Sequence, residues 1–195
     1  MPKLSATSRA RKIKLILFDV DGVLTDGKIW IFPAPAGSSA SLIEAKGFHA
    51  HDGTAIMLAR MAGIKTGIIT KRISETVALR ARDLKIDHIC QGIQDKASVF
   101  AEVLEKDGIT AAEAAFVGDD VIDLPPMRQC GLAIAVKNAR SQVKAAAHWT
   151  TAHAGGDGAA RDAIEYILKA QGKWKRVVDA YIKGGSSSQE LKANS

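Results

Sequence analysis

Short apolar runs alternate with longer stretches of helical period along most of this chain, and the two textures predict different elements. The runs at 13–19, 64–70, 88–90, 114–118 and 132–136 are rich in Ile, Leu, Val and Ala, as expected of strands buried on both faces of a sheet. The stretches at 54–62, 74–84, 96–107, 121–129, 140–147 and 159–170 read as helices. Strand–helix alternation predicts an α/β fold, a doubly wound parallel sheet covered on both faces. The polar, basic residues 1–12 and the Gly/Ser-rich stretch 184–195 are expected to be flexible termini around one domain spanning 13–175.

One segment interrupts the alternation. Residues 28–32 and 41–46 flank Pro33-Ala-Pro-Ala-Gly-Ser-Ser39, which predicts a β-hairpin inserted over 28–48, after the first strand. Its arms carry Trp30, Phe32 and Ile43, and a two-stranded ribbon is marginal alone in water. The apolar arms are therefore expected to pair with another subunit, the alternative being that the hairpin folds back on its own domain. No insertion is large enough for a separate cap domain.

The same pattern places chemistry. The first run ends in Asp19-Val20-Asp21-Gly22, two carboxylates two residues apart at a strand exit. Open α/β sheets bind ligands at that edge. Close carboxylates repel unless a cation is present, and Mg²⁺ is the hard metal such oxygens suit. Later strand ends add Thr70, Lys96 and the group Asp119, Asp120, Asp123. Singly, Thr70 reads as a helix cap and Lys96 as a solvated side chain; together they converge on one edge of one sheet. A carboxylate nucleophile, a second carboxylate to move protons, a divalent cation, a hydroxyl and an ammonium are the parts that phosphoryl transfer through an aspartyl-phosphate needs.

Composition narrows the alternatives. The chain has 195 residues, enough for one ordinary domain, and a formal net charge of +6. Much of that charge lies near the two ends, and aromatics make up only 5%, so no stacking platform for nucleic acid is expected. Cys90 and Cys130 fit no metal or redox spacing and read as buried free thiols of a cytoplasmic protein. No apolar stretch approaches a membrane span, and the basic N-terminus lacks the apolar core of a signal peptide.

Asp19-Val-Asp21-Gly-Val-Leu-Thr25, Thr70, Lys96 and Gly118-Asp119-Asp120-Val-Ile-Asp123 resemble the four motifs of the haloacid dehalogenase superfamily. Asp52-Gly53, Gly118-Asp-Asp-Val-Ile-Asp-Leu-Pro125, Gly155-Gly156 and Ala170-Gln-Gly-Lys173 extend the resemblance to its 3-deoxy-D-manno-octulosonate 8-phosphate phosphatase subfamily. The resemblance implies a Rossmann-like, capless, Mg²⁺-dependent phosphatase of a sugar phosphate in lipopolysaccharide core synthesis. It also implies a homotetramer in which the hairpin joins subunits and a neighbour's C-terminal segment helps close the site. It implies Asp19 as nucleophile and Asp21 as general acid/base. Mg²⁺ would be held by the Asp19 side chain, the Asp21 carbonyl and Asp119, and Thr70 and Lys96 would bind the phosphoryl group. Asp120 and Asp123 would support these groups. Substrate contacts would come from His49, Ala50, His51, Asp52, Gly53, Arg72, Arg80 and Lys96. Three departures bear on the sugar: Met57 stands where Arg is usual, Lys71 where Gly is usual and Asp157 where a basic residue is common. A nonulosonate 9-phosphate, or a broad range of sugar phosphates, is the alternative substrate. A phosphosugar mutase would need a shielding cap, and a non-catalytic scaffold would have no need of the full acidic set.

Overall fold

A computed structural model describes residues 4–37 and 41–184. Six parallel strands form the central sheet in the order β5-β4-β1-β6-β7-β8. They are β1 (Leu15–Phe18), β4 (Lys65–Ile69), β5 (His88–Cys90), β6 (Ala114–Gly118), β7 (Leu132–Ala135) and β8 (Trp149–Thr150). The antiparallel pair β2 (Trp30–Pro33) and β3 (Leu42–Ala45) stands apart from them. From β1 the chain winds outward to β4 and β5, then returns to place β6 on the other flank of β1. That reversal opens a crevice at the carboxyl ends of β1 and β6, where ligands bind in such sheets.

Every residue of β1, β6 and β7 is buried, which explains the unbroken apolar runs in the sequence. Each large side chain among them, such as Phe18 or Phe116, contributes about 1.5–3 kcal/mol by leaving water. On one face α2 (Ala50–Met61), α7 (Ala159–Ala170) and α8 (Trp174–Ile182) pack on one another. A second group joins α4 (Lys96–Asp107), α5 (Leu124–Gln129) and α6 (Ser141–Ala146). The remaining helices are α1 (Ala6–Ala10) and α3 (Glu75–Asp83). Cys130 is buried and Cys90 half-buried, both as free thiols.

Several expectations need correction. Within the expected frayed end, residues 4–12 are ordered by contacts: Ser5 caps α1, Ala10 is fully buried, and the Gln171 amide donates to the carbonyls of Ala10 and Ile13. The folded domain also runs past 175, because α8 seats Val177 in the core. Residues 185–195 of the expected C-terminal tail lie outside the described residues. The helix expected at 54–62 begins at Ala50, since His49 caps it and Asp52 sits favourably in its first turn. The helix expected at 121–129 is two pieces, a 3₁₀ turn over Val121–Asp123 and then α5. Pro125 and Pro126 have no N–H to return to Val121 and Ile122, so no continuous helix forms.

The hairpin forms as expected, with Trp30 opposite Ala45 and Phe32 opposite Ile43. Its Trp30, Ile31, Phe32, Leu42 and Ile43 are all exposed. It meets its own domain at Glu44, whose carbonyl accepts a hydrogen bond from the Thr76 hydroxyl.

Candidate active site

Asp19 leaves β1 at the crevice, its N–H still bonded to Val117 of the neighbouring strand. The chain then coils around the Val20 carbonyl, which accepts from the N–H groups of Val23, Leu24 and Thr25 and from the Thr25 hydroxyl. Gly22 takes φ +92° in this coil, and its Cα lies against the Asp119 carboxylate; any Cβ there would overlap it.

Lys96 opens α4, where its charge opposes the helix dipole, and its side chain is 1% exposed. An ammonium so buried must be paired. Its Nζ lies 2.9 Å from Asp19 Oδ2 and 2.7 Å from Asp123 Oδ1. Asp123 uses Oδ2 to accept from the N–H groups of Asp119 and Asp120, which ties the motif after β6 to the same lysine. The Val20 N–H donates to Asp19 Oδ1 (2.6 Å). Thr70, buried at the end of β4, completes the floor.

Asp19, Asp21, Thr70, Lys71, Arg72, Asp119, Asp120 and Ile122 line one cleft of about 190 Å³. Ligand oxygens of Asp19, Asp119 and Asp123 all lie within 4.8 Å of one another. Burial, the Asp123 charge and then the opposing pull of Lys96 leave Asp19 ionising at about 6. Burial, then Asp123, Asp19 and Asp120, push Asp119 up to about 7. Asp119 Oδ1 is buried with no hydrogen-bond partner. Crowded, under-donated carboxylates of this kind fit a hard divalent cation.

The other expected contact residues lie elsewhere. His49 caps α2 and accepts from the His51 N–H; Ala50 and His51 are exposed in its first turn. Asp52 is buried, accepts from the Arg161 N–H at the start of α7, and is pushed up mainly by burial. The Arg80 guanidinium lies over Gly53 and donates to Asp83. His49, Asp52, Gly53 and Arg80 line a separate, small apolar cavity. Of the expected sugar contacts, Arg72 joins Asp19 and Asp21 in lining this cleft and Lys96 pairs with Asp19 beneath it. Met57 is half-buried against the core, Lys71 lines the cleft and Asp157 is exposed.

Two features escaped the sequence reading. Lys46, on the returning arm of the hairpin, buries its ammonium against the Asp21 carboxylate. The Gly155-Gly156 turn presses directly on the coil after β1: Gly156 N–H donates to the Val23 carbonyl, and a Cβ on Gly155 would overlap the Gly22 carbonyl. The Glu44-Ala45-Lys46 pattern was the available signal for the first, a charged face on an otherwise apolar arm.

A sheet crevice that gathers a carboxylate, a paired lysine, a threonine and a second acidic cluster defines a hydrolase site of one known class. Residues 54–162 match the family model of haloacid dehalogenase-like hydrolases, and the chain belongs to that family. It is 39% identical over 166 residues to 3-deoxy-D-manno-octulosonate 8-phosphate phosphatase KdsC of Escherichia coli K12, covering 85% of each chain. The crystal structure of the phosphatase of that name from Yersinia pestis superposes with a TM-score of 0.81 at 36% identity, over 87% of this chain and 88% of that one. The Moraxella catarrhalis phosphatase, solved with magnesium, phosphate and KDO, gives 0.83 at 36% identity, over 90% and 97%.

Proposed function

We propose that this protein is a Mg²⁺-dependent phosphatase that hydrolyses 3-deoxy-D-manno-octulosonate 8-phosphate to the free sugar acid and phosphate, in lipopolysaccharide core synthesis. The observation that carries the reading is the buried Asp19–Lys96–Asp123 trio beside Asp119 at the β1/β6 crevice. The Asp19 carboxylate, the Asp21 carbonyl and Asp119 would hold the cation, which would offset charge between nucleophile and phosphate.

An Asp19 oxygen attacks phosphorus and the ester oxygen departs, taking a proton from the Asp21 carboxyl. Lys96 and Thr70 donate to the transferring oxygens, and the fixed position of Lys96 between Asp19 and Asp123 means this charge needs no reorganisation. Asp21, now a carboxylate, takes a proton from water as that water attacks the aspartyl-phosphate. Phosphate leaves and Asp19 is regenerated.

The same reading makes the protein a homotetrameric, cytoplasmic enzyme in which a neighbouring subunit completes the sugar site, and the exposed apolar hairpin supports the subunit contact. This fits the placing of His49, Asp52, Gly53 and Arg80 on a cavity other than the one that Asp19 lines. A second reading, a nonulosonate 9-phosphate or broad sugar-phosphate phosphatase, is favoured by Met57, which offers no guanidinium to a sugar carboxylate. Catalytic efficiencies with Mg²⁺ over a panel of these esters decide: preference for the octulosonate ester is expected, and its absence refutes the leading reading.

A further inference from the structure

The hairpin's returning arm carries charges on alternate residues, Glu44 and Lys46, which share one face. Both turn towards the domain, while Leu42 and Ile43 beside them stay exposed. The Lys46 side chain has no exposed surface; its Nζ bonds Asp21 Oδ1 and lies 3.7 Å from Glu44 Oε1. Arg72 closes the circuit, with Nη2 bonded to Glu44 Oε2 and Nε 3.7 Å from Asp21 Oδ2. Four charges of alternating sign thus form a ring in which each carboxylate is held by both cations.

Stability of the ribbon does not account for this. Drawing an ammonium out of water costs several kcal/mol, and ion pairs seldom return more than they cost. A lysine pointing outward would serve a surface hairpin better. What the ring does achieve is orientation: Asp21 sits half-buried on a coil, and Lys46 takes one of its oxygens while the other faces the cleft beside Arg72.

We infer that Lys46, braced by Glu44, is a positioning residue that fixes the Asp21 carboxylate for proton transfer, so that the hairpin's returning arm belongs to the catalytic apparatus. This rests on the phosphatase reading and on Asp21 as its acid/base. Loss of the ammonium leaves Asp21 free to rotate, and a misplacement of about 1 Å in a reacting group costs about 100-fold. Steps that need no proton from Asp21 are spared.

Lys46→Met tests this with two esters, the octulosonate 8-phosphate and p-nitrophenyl phosphate, whose nitrophenolate leaves without protonation. For the sugar ester, kcat should fall about 10- to 100-fold, with KM changed less than about threefold. Nitrophenolate release in a single turnover should stay within about threefold of wild type. In an Asp21→Asn background, Lys46→Met should cost the sugar ester less than a further threefold, since the two changes remove one function. Equal losses for both esters, or full additivity in the double variant, overturn the proposal. If Lys46→Met does not fold, Glu44→Gln, which leaves Lys46 on Asp21, should slow the sugar ester more than the aryl ester; equal slowing counts against the proposal. Wild-type protein that cleaves neither ester with Mg²⁺ refutes the phosphatase reading itself, whereas active wild type with an unaffected Lys46→Met refutes only the role of Lys46.

Discussion

Asp119→Asn should strengthen the cation-free protein while removing its response to Mg²⁺. Without a cation, Asp119 is a half-buried carboxylate among Asp123, Asp19 and Asp120, and it ionises at about 7 instead of 3.8. The unfolded chain releases that proton near 3.8, so the folded state binds it more tightly and folding stability falls as pH rises from about 4 to about 7. At about 1.36 kcal/mol per pH unit the displacement is worth about 4 kcal/mol. The carboxylate is partly exposed and screened by water, which reduces the expectation to about 2 kcal/mol. An amide has the same shape, so it fits against Gly22 without the charge. At pH 8 in chelator, Asp119→Asn should therefore melt about 4–8 °C above wild type, and at pH 4 the two should coincide. Adding Mg²⁺ should raise the wild-type melting temperature and leave the variant where it was. Calorimetry from pH 4 to pH 8, with chelator and with Mg²⁺, reads both effects. A variant less stable than wild type in chelator at pH 8, or equally stabilised by Mg²⁺, refutes the reasoning.

Three further outcomes are expected. Asp19→Asn should abolish turnover and leave the fold intact; activity within tenfold of wild type refutes Asp19 as the nucleophile. Gly155→Ala should destabilise by about 1–3 kcal/mol and weaken Mg²⁺ binding, because the new methyl meets the backbone of the catalytic coil; titration calorimetry showing unchanged affinity would contradict that coupling. Met57→Arg should raise kcat/KM for the octulosonate ester relative to a nonulosonate ester, and an unchanged ratio removes Met57 from the account of specificity.

How much of this the sequence disclosed follows from the range of the forces involved. β1, β6 and β7 were legible because strands buried on both faces must be apolar throughout and must turn polar where they leave the sheet, at Asp19 and Asp119. The break before α5 was also written in the chain, as Pro125-Pro126, yet the apolar spacing of 121–129 obscured it. Helix α1 and the seating of Val177 depend on contacts with distant segments, such as Gln171 with Ala10, which no local pattern announces. The same holds for Lys46: its partner Asp21 lies 25 positions away, across a hairpin whose apolar residues dominate the local pattern. Arg72 and Arg80 looked alike as sugar contacts, and only the fold separates them, one in the cleft and the other over Gly53.

The turn at Gly155-Gly156 has a consequence for the order in which the enzyme is made. All four motifs have been synthesised once Asp123 is added, yet the coil holding Asp21 and Gly22 still lacks the backbone that braces it. That brace is seated by α7, whose Ala159, Ala160 and Ala163 are fully buried. A nascent chain halted before α7 should therefore carry every reactive group and no phosphatase activity, with catalysis switching on only when α7 and the segment after it dock. Activity of ribosome-bound chains arrested at successive lengths would locate that point.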